Sequence, residues 1–194
     1  MGKAERTKEF IIEKTAPVFN TKGFAGTSMH DITEETGLTK GSIYGNFKNK
    51  DDVAIAVFKY NINELRRVFA SHLAEKTGYK DKLLVYPELY KNYFEASFPA
   101  GGCPIMNTAI EADDTHPELK RLAKKALLDW KESLSDTIRK GVENKEFKAE
   151  TNIEETALTI LALIEGAVMM AKLTDDSKPL SVLMDTLKKL INQL

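Results

Sequence analysis

Cysteine is nearly missing from this sequence: Cys103 is the only one in 194 residues. A single thiol closes no intrachain disulfide and builds no thiolate zinc cluster. Histidine is almost as scarce. His30, His72 and His116 are scattered, without the carboxylate–histidine spacing of a metal site, so neither a metal nor a cofactor is expected. There is no glycine-rich phosphate loop, no nucleophile elbow and no His-x-x-Glu-type cluster, which argues against an enzyme. No apolar run is expected to reach the length of a bilayer crossing. Residues Met1 to Lys14 mix charged and apolar side chains and have no signal-peptide core. A cytoplasmic location with no membrane partner is the expectation.

Charge of one sign is also lacking. The net charge is -1, which argues against nonspecific coating of nucleic acid. The distribution says more. Residues 1–50 hold eight Lys/Arg against six Asp/Glu, and Lys40, Lys48 and Lys50 fall close together with no acid between them. A local basic edge is enough for phosphate contacts. An ordinary solvated face has the same composition, so charge alone does not decide.

What the sequence does contain is helical periodicity nearly throughout, with sparse turn signals and no strand-like alternation. Residues 3–21 form the first helix candidate, with Ile12, Ala16 and Phe19 on one face. Pro17 removes a bond inside it and is expected to bend it. Gly23 is placed to end it. Short helices are expected from Met29 to Glu35, with Ser28 as N-cap and Asp31 completing a capping box, and from Thr39 to about Gly45. A long helix opens at Asn49 or Lys50 and runs to about Glu75. Residues 80–98 read as an aromatic-rich helix containing Pro87, and Pro99-Ala100-Gly101-Gly102 as a break. Helices over 103–112 and from Pro117 to Asn144 follow, the latter with a buried stripe of Leu119, Ala123, Ala126, Leu127, Trp130, Leu134 and Ile138. The last two span about 152–173 and 178–193. The first of these is apolar nearly all round and must be buried on more than one side. The fold class is all-α with about nine helices. The expected division is a three-helix N-terminal domain over residues 1–50, with the start of the fourth helix to about 60, and a larger helical domain over 51–194.

The decisive stretch is Ser28 to Phe47. Two short helices flank a tight turn at Thr36-Gly37-Leu38, which is a helix-turn-helix. Ile32, Leu38 and Ile43 pack the two helices together. The second helix then turns Thr39, Lys40, Ser42, Tyr44 and Asn46 outward, groups short enough to reach DNA, while Gly41 allows close approach to a phosphate.

From about Thr7 to Phe58 the chain resembles the TetR family of bacterial regulators. Phe19, Gly23-Phe24, Thr27-Ser28, Asp31-Ile32, the run Gly37 to Tyr44, Phe47 and Lys50 carry the resemblance. It implies a dimeric transcriptional regulator that binds double-stranded operator DNA and is released by an unidentified small-molecule inducer. It implies that Thr27 and Ser28 contact phosphate and that Thr39, Lys40, Gly41 and Ser42 sit at the major-groove end of the recognition helix. Tyr44 and Asn46 would contact backbone or base, and Lys50 a phosphate. Local capping is the competing role for Ser28 and Thr39, and packing for Tyr44. Gly45-Asn46 departs from an aromatic followed by histidine, and Pro17 interrupts a helix commonly unbroken.

Beyond about residue 60 the resemblance is weaker. It implies a ligand domain that dimerises through the last two helices. Candidate ligand-lining residues are Tyr86, Tyr90, Tyr93, Phe94, Met106, Trp130, Glu165 and Met169, with hydrophobic core as the alternative for each. Candidate interface residues are Leu161, Val168, Leu180, Leu183, Leu187 and Leu190, with the monomer core as the alternative. Cys103, at a helix start, is either a redox sensor or a buried inert thiol. A helical adaptor that has lost DNA binding is the other competing class.

Overall fold

The computed structural model describes residues 2–92 and 99–194. Among these residues there are nine α-helices and no strand. They are α1 (Lys3–Gly26), α2 (Met29–Thr36), α3 (Lys40–Tyr44), α4 (Lys50–Ala74), α5 (Tyr79–Lys91), α6 (Pro104–Ala112), α7 (Pro117–Glu143), α8 (Ile153–Thr174) and α9 (Lys178–Gln193). Pro17 does not break α1: the backbone stays helical there. The one non-helical residue within α1 is Gly23, at φ 76° and ψ 176°. Glycine reaches that conformation without a Cβ penalty, so the break in helical geometry falls at Gly23.

The chain forms two compact units that do not follow a single cut in sequence. One comprises residues 1–66 and 99–126; the other comprises 67–98 and 127–194. The first unit therefore holds α1 to α3 together with α6, and α4 and α7 each divide between the units. Within the first unit α6 returns to pack on α1. The core of the first unit is built from Ile11, Ala16, Phe19, Ile32, Ile43, Phe47, Val53, Val57 and Phe58.

In the second unit α9 packs on α5 and α8. Its buried residues Leu180, Met184, Leu187 and Ile191 recur at helical spacing on one stripe. On α8 the buried side carries Ala157, Ile160, Leu161, Ile164, Ala167, Val168 and Ala171. These contacts give the expected interface residues a place within the monomer. Leu161, Val168, Leu180 and Leu187 are buried within the monomer, and Leu183 and Leu190 are half-buried. The apolar side chains that remain exposed on these helices are Leu158, Met169, Met170, Leu173 and Val182. On α8, Leu158, Ala162, Met169 and Leu173 share one face by the helical period. α8 also corrects the reading of apolar runs. By length and composition it is long and apolar enough to cross a membrane, although Glu165 interrupts it, and one side of it packs within this unit.

The stripe of α7 holds in the main. Leu119, Ala123, Ala126, Leu134 and Ile138 are buried, and Trp130 is half-buried. Leu127 is exposed instead, and Ser135 is buried one position beyond Leu134.

Candidate nucleic-acid interface

The helix-turn-helix is assembled by local hydrogen bonds that its sequence dictates. Ser28 starts α2 with a complete capping box. Its Oγ accepts from the Asp31 N–H at 3.1 Å, and its own N–H donates to Asp31 Oδ2 at 2.7 Å. Gly37 follows α2 at φ 67°, the left-handed conformation that lets the chain reverse into α3. The Thr36 hydroxyl donates to the Ile32 carbonyl at 2.7 Å and accepts from the Leu38 N–H at 3.3 Å, which closes the turn. Thr39 caps α3 by accepting from the Ser42 N–H at 3.2 Å. Ile32 and Ile43 are fully buried and hold the two helices together. Past α3, Asn49 caps α4 through Oδ1, which accepts from the Asp52 N–H at 2.8 Å.

With Ile43 buried, the opposite face of α3 is left to solvent. Thr39, Lys40, Gly41 and Tyr44 are all exposed there, Tyr44 at 51%. An exposed tyrosine, a lysine and a glycine on a helix this short have no packing role, and together they form a surface suited to phosphate and base edges. Ser42 and Asn46 are half-buried, and Asn46 Nδ2 donates to the Ser42 carbonyl at 2.9 Å. That bond closes the end left weak by Gly45.

Two residues expected at phosphates are otherwise engaged. Thr27 is fully buried and its hydroxyl donates to the Gly23 carbonyl at 2.6 Å. Its side chain is a structural plug, and the exposed residues on either side of it are Gly26 and Ser28. Lys50 Nζ donates to the carbonyls of Phe24 at 2.8 Å and Thr27 at 2.9 Å, and lies 4.2 Å from the centre of the Phe24 ring. It binds the α1–α2 junction to α4. Lys48, from the acid-free basic run, is exposed beside α3.

Asp31 accepts from Lys22 Nζ at 2.6 Å as well as from Ser28. The hydrogen bond from Lys22, then those from Ser28, hold its carboxyl well below its ordinary value of 3.8. A depressed carboxylate contributes stability that is present above the unfolded value and lost as the pH falls through the folded one. The Asp31→Asn variant is therefore expected to be less stable than the parent at neutral pH. The difference should shrink as the pH is lowered below 3.8, as thermal melting at several pH values would show.

The candidate ligand residues are only partly brought together. In the second unit Tyr86 and Tyr90 are buried, and Trp130 stacks on both with ring centres 6.3 Å apart. Phe69, missed in the sequence because it sits late in a long helix, lies 4.9 Å from the Tyr86 ring. Burial raises the Tyr86 phenol, against hydrogen bonds with Ser133 and Trp130. Glu165 is half-buried on α8, and Met169 is exposed on the apolar face of that helix, at 45%. Met106 belongs to the first unit. Tyr93 and Phe94 lie outside the described residues. Cys103 is buried, immediately before Pro104 at the start of α6.

A three-helix head with an outward recognition helix, followed by a larger helical region, is the architecture of a helix-turn-helix transcriptional regulator. Residues 11–57 match the model for bacterial regulatory proteins of the tetR family, and residues 80–187 match the tetracyclin repressor-like C-terminal domain. A TetR-family transcriptional regulator from Cytophaga hutchinsonii has a crystal structure 46% identical to this chain. That likeness covers 100% of this chain and 97% of the other, with a TM-score of 0.95. The HTH-type transcriptional repressor DhaR of Mycobacterium sp. (strain GP1) is 25% identical over 89% of this chain and 86% of its own length. The TetR-family regulator CifR, in a cysteine mutant complexed with 26-base-pair operator DNA, shares the fold: TM-score 0.80, 16% identity, over 93% of this chain and 94% of that one. The chain belongs to the TetR family of DNA-binding transcriptional regulators.

Proposed function

We propose that the protein is a dimeric repressor that places α3 of each subunit in successive major grooves of an operator and leaves it when a small molecule binds. The observation that carries the DNA half is the exposed set Thr39, Lys40, Gly41 and Tyr44 on a helix whose other side is fixed by Ile43. Ser28, Ser42, Asn46 and the backbone around Thr27 are the flanking contacts, with Lys48 added and Lys50 serving to hold the frame. An operator-bound relative of the same fold supports this use of the head. The domain roles follow: the head reads DNA, and the helices beyond it take the inducer and the partner subunit.

The dimer forms through the exposed apolar face of α8, Leu158, Ala162, Met169 and Leu173, with Val182 of α9 beside it. A two-fold contact uses the same patch on both subunits. The inducer is apolar or planar and is taken up beside Tyr86, Tyr90 and Trp130, where aromatic faces offer large contact area. A neighbour of the same fold, FadR from Bacillus subtilis in complex with stearoyl-CoA, supports an apolar inducer. Burial of Cys103 favours packing over sensing. A regulator of this kind works where the chromosome is, in the cytoplasm.

Selection of fragments from the source organism's DNA, followed by a reporter fused to the enriched site, tests the reading. The expected result is one near-palindromic site and a reporter whose output falls when the protein is present. A reporter that rises instead makes the protein an activator. No enriched site contradicts the regulator.

A further inference from the structure

The segment Gly23 to Thr27, between the body of α1 and α2, is held from two sides by opposite groups of its own backbone. On one side α6 supplies Glu111. Its two carboxylate oxygens accept from the Phe24 N–H and the Ala25 N–H, each at 2.7 Å. On the other side α4 supplies Lys50, which donates to the carbonyls of Phe24 and Thr27. The Phe24 ring lies between the Lys50 ammonium at 4.2 Å and the edge-on His116 ring at 4.8 Å. His116 in turn accepts from the Leu119 N–H at 3.2 Å at the start of α7. The amides of residues just past a helix break have no partner in the helix. Here an anion from another helix takes both of them, and charge-assisted bonds of this kind are the strong ones.

Gly23 is the residue that makes the fit. A Cβ there would stand 2.5 Å from one Glu111 oxygen and 2.7 Å from the other, and the residue sits at positive φ. Nearby, Asn20 Nδ2 donates to the Ala100 carbonyl at 2.6 Å and the Gly102 carbonyl at 2.8 Å, and Asn107 Nδ2 donates to the Asn20 carbonyl at 3.0 Å. α6 and the loop before it are therefore tied to α1 by side chain-to-backbone bonds along its last turns.

We propose that Glu111 is a positioning residue for operator binding: its carboxylate fixes the α1–α2 junction, and so sets where the N-terminus of α2 and the recognition helix stand. This rests on the DNA-binding reading of the head. Glu111 is on α6, and nothing in it reads DNA. It acts through the two amides that lead into Thr27 and Ser28. Displacing α6 withdraws both acceptors at once, so the junction loosens in one step.

The test uses the full chain with Glu111→Gln, Glu111→Ala, Gly23→Ala, and Gly23→Ala combined with Glu111→Ala. Glutamine offers one acceptor oxygen and turns its NH2 toward the second amide, so it does not rescue. Expected are about tenfold weaker binding or more to the DNA fragment that the wild type enriches, for both Glu111 variants, with the dimer intact. Exchange of the Phe24 and Ala25 amides rises by a similar factor, while amides in the middle of α1 stay slow. Gly23→Ala weakens binding more in the parent than in the Glu111→Ala background, because its Cβ meets the carboxylate. Wild-type affinity in Glu111→Gln, or strict additivity of the two substitutions, overturns the proposal. Should a variant fail to fold, exchange in the wild type decides: slow Phe24 and Ala25 amides support the clamp, and rates of an open peptide refute it. A wild type that enriches no DNA contradicts the DNA-binding reading instead, and exchange together with additivity in melting temperature then judges the clamp separately.

Discussion

Replacing Lys40 and Tyr44 together by alanine is expected to weaken operator binding by at least about 100-fold, since groove and phosphate contacts are worth about 1–3 kcal/mol each and every subunit loses two. The melting temperature should hardly change. Both side chains are exposed, Tyr44 at 51%, and neither makes a contact on which α3 depends. The helix keeps its Thr39 cap and its Ile43 anchor. Electrophoretic mobility shift and differential scanning calorimetry on the same preparation separate the two quantities. Alanine at Ser28 should behave otherwise. It removes a cap worth about 1 kcal/mol and so lowers stability together with affinity. Unchanged affinity in the double variant would mean that α3 is not the reading helix.

The second large effect is expected at α8. Met169→Glu with Leu173→Glu places two charges on the apolar face that carries Leu158 and Ala162, and it should convert the dimer to folded monomers. Each apolar side chain removed from a contact forfeits about 1.5–3 kcal/mol, and burying the new carboxylates costs more. Leu173 is 81% exposed in the monomer, so the subunit itself loses little. Operator affinity should fall with the dimer, because two half-sites are then no longer bound jointly. The control is Leu187→Glu. Leu187 is 0% exposed within the subunit, and a charge there should unfold the monomer instead of separating folded subunits. Sedimentation with circular dichroism distinguishes these outcomes. A variant at Met169 and Leu173 that stays dimeric would move the interface to another face.

The difference between those two substitutions shows where the sequence was legible and where it was not. Periodicity located α8 and α9 to within a residue or two, because a helix advertises its apolar positions every three or four residues. It did not say which apolar side faces inward. α8 carries apolar residues on nearly all sides, so Leu161 and Leu158 look alike in sequence, although one is buried and the other exposed. Only the packing of α9 decides.

At the head the sequence was far more explicit, since its bonds are local. Ser28 with Asp31, Gly37 and Thr39 each act within three residues of themselves, and the capping box, the left-handed turn and the second cap all stand as read. Lys50 shows the opposite case. Its partners are the carbonyls of Phe24 and Thr27, 26 and 23 residues away, and a lysine serving a distant carbonyl has the same signature as one serving a phosphate. Glu111 lay beyond reach altogether. Its partners are 86 and 87 residues away on α1, and α6 returns to that helix only in the folded chain.

Operator reading by α3 is tested by a hydroxyl-radical footprint on the enriched DNA fragment, taken with the wild type and with the Lys40, Tyr44 double variant. Two protected patches on one face of the duplex, related by two-fold symmetry, are expected. Their centres should be separated by about one helical turn or a near multiple, as two α3 helices of a dimer require. Protection should fade with rising salt as phosphate contacts are lost, and be absent with the double variant. A single unsymmetrical patch, or the same footprint with the double variant, would contradict operator reading by α3.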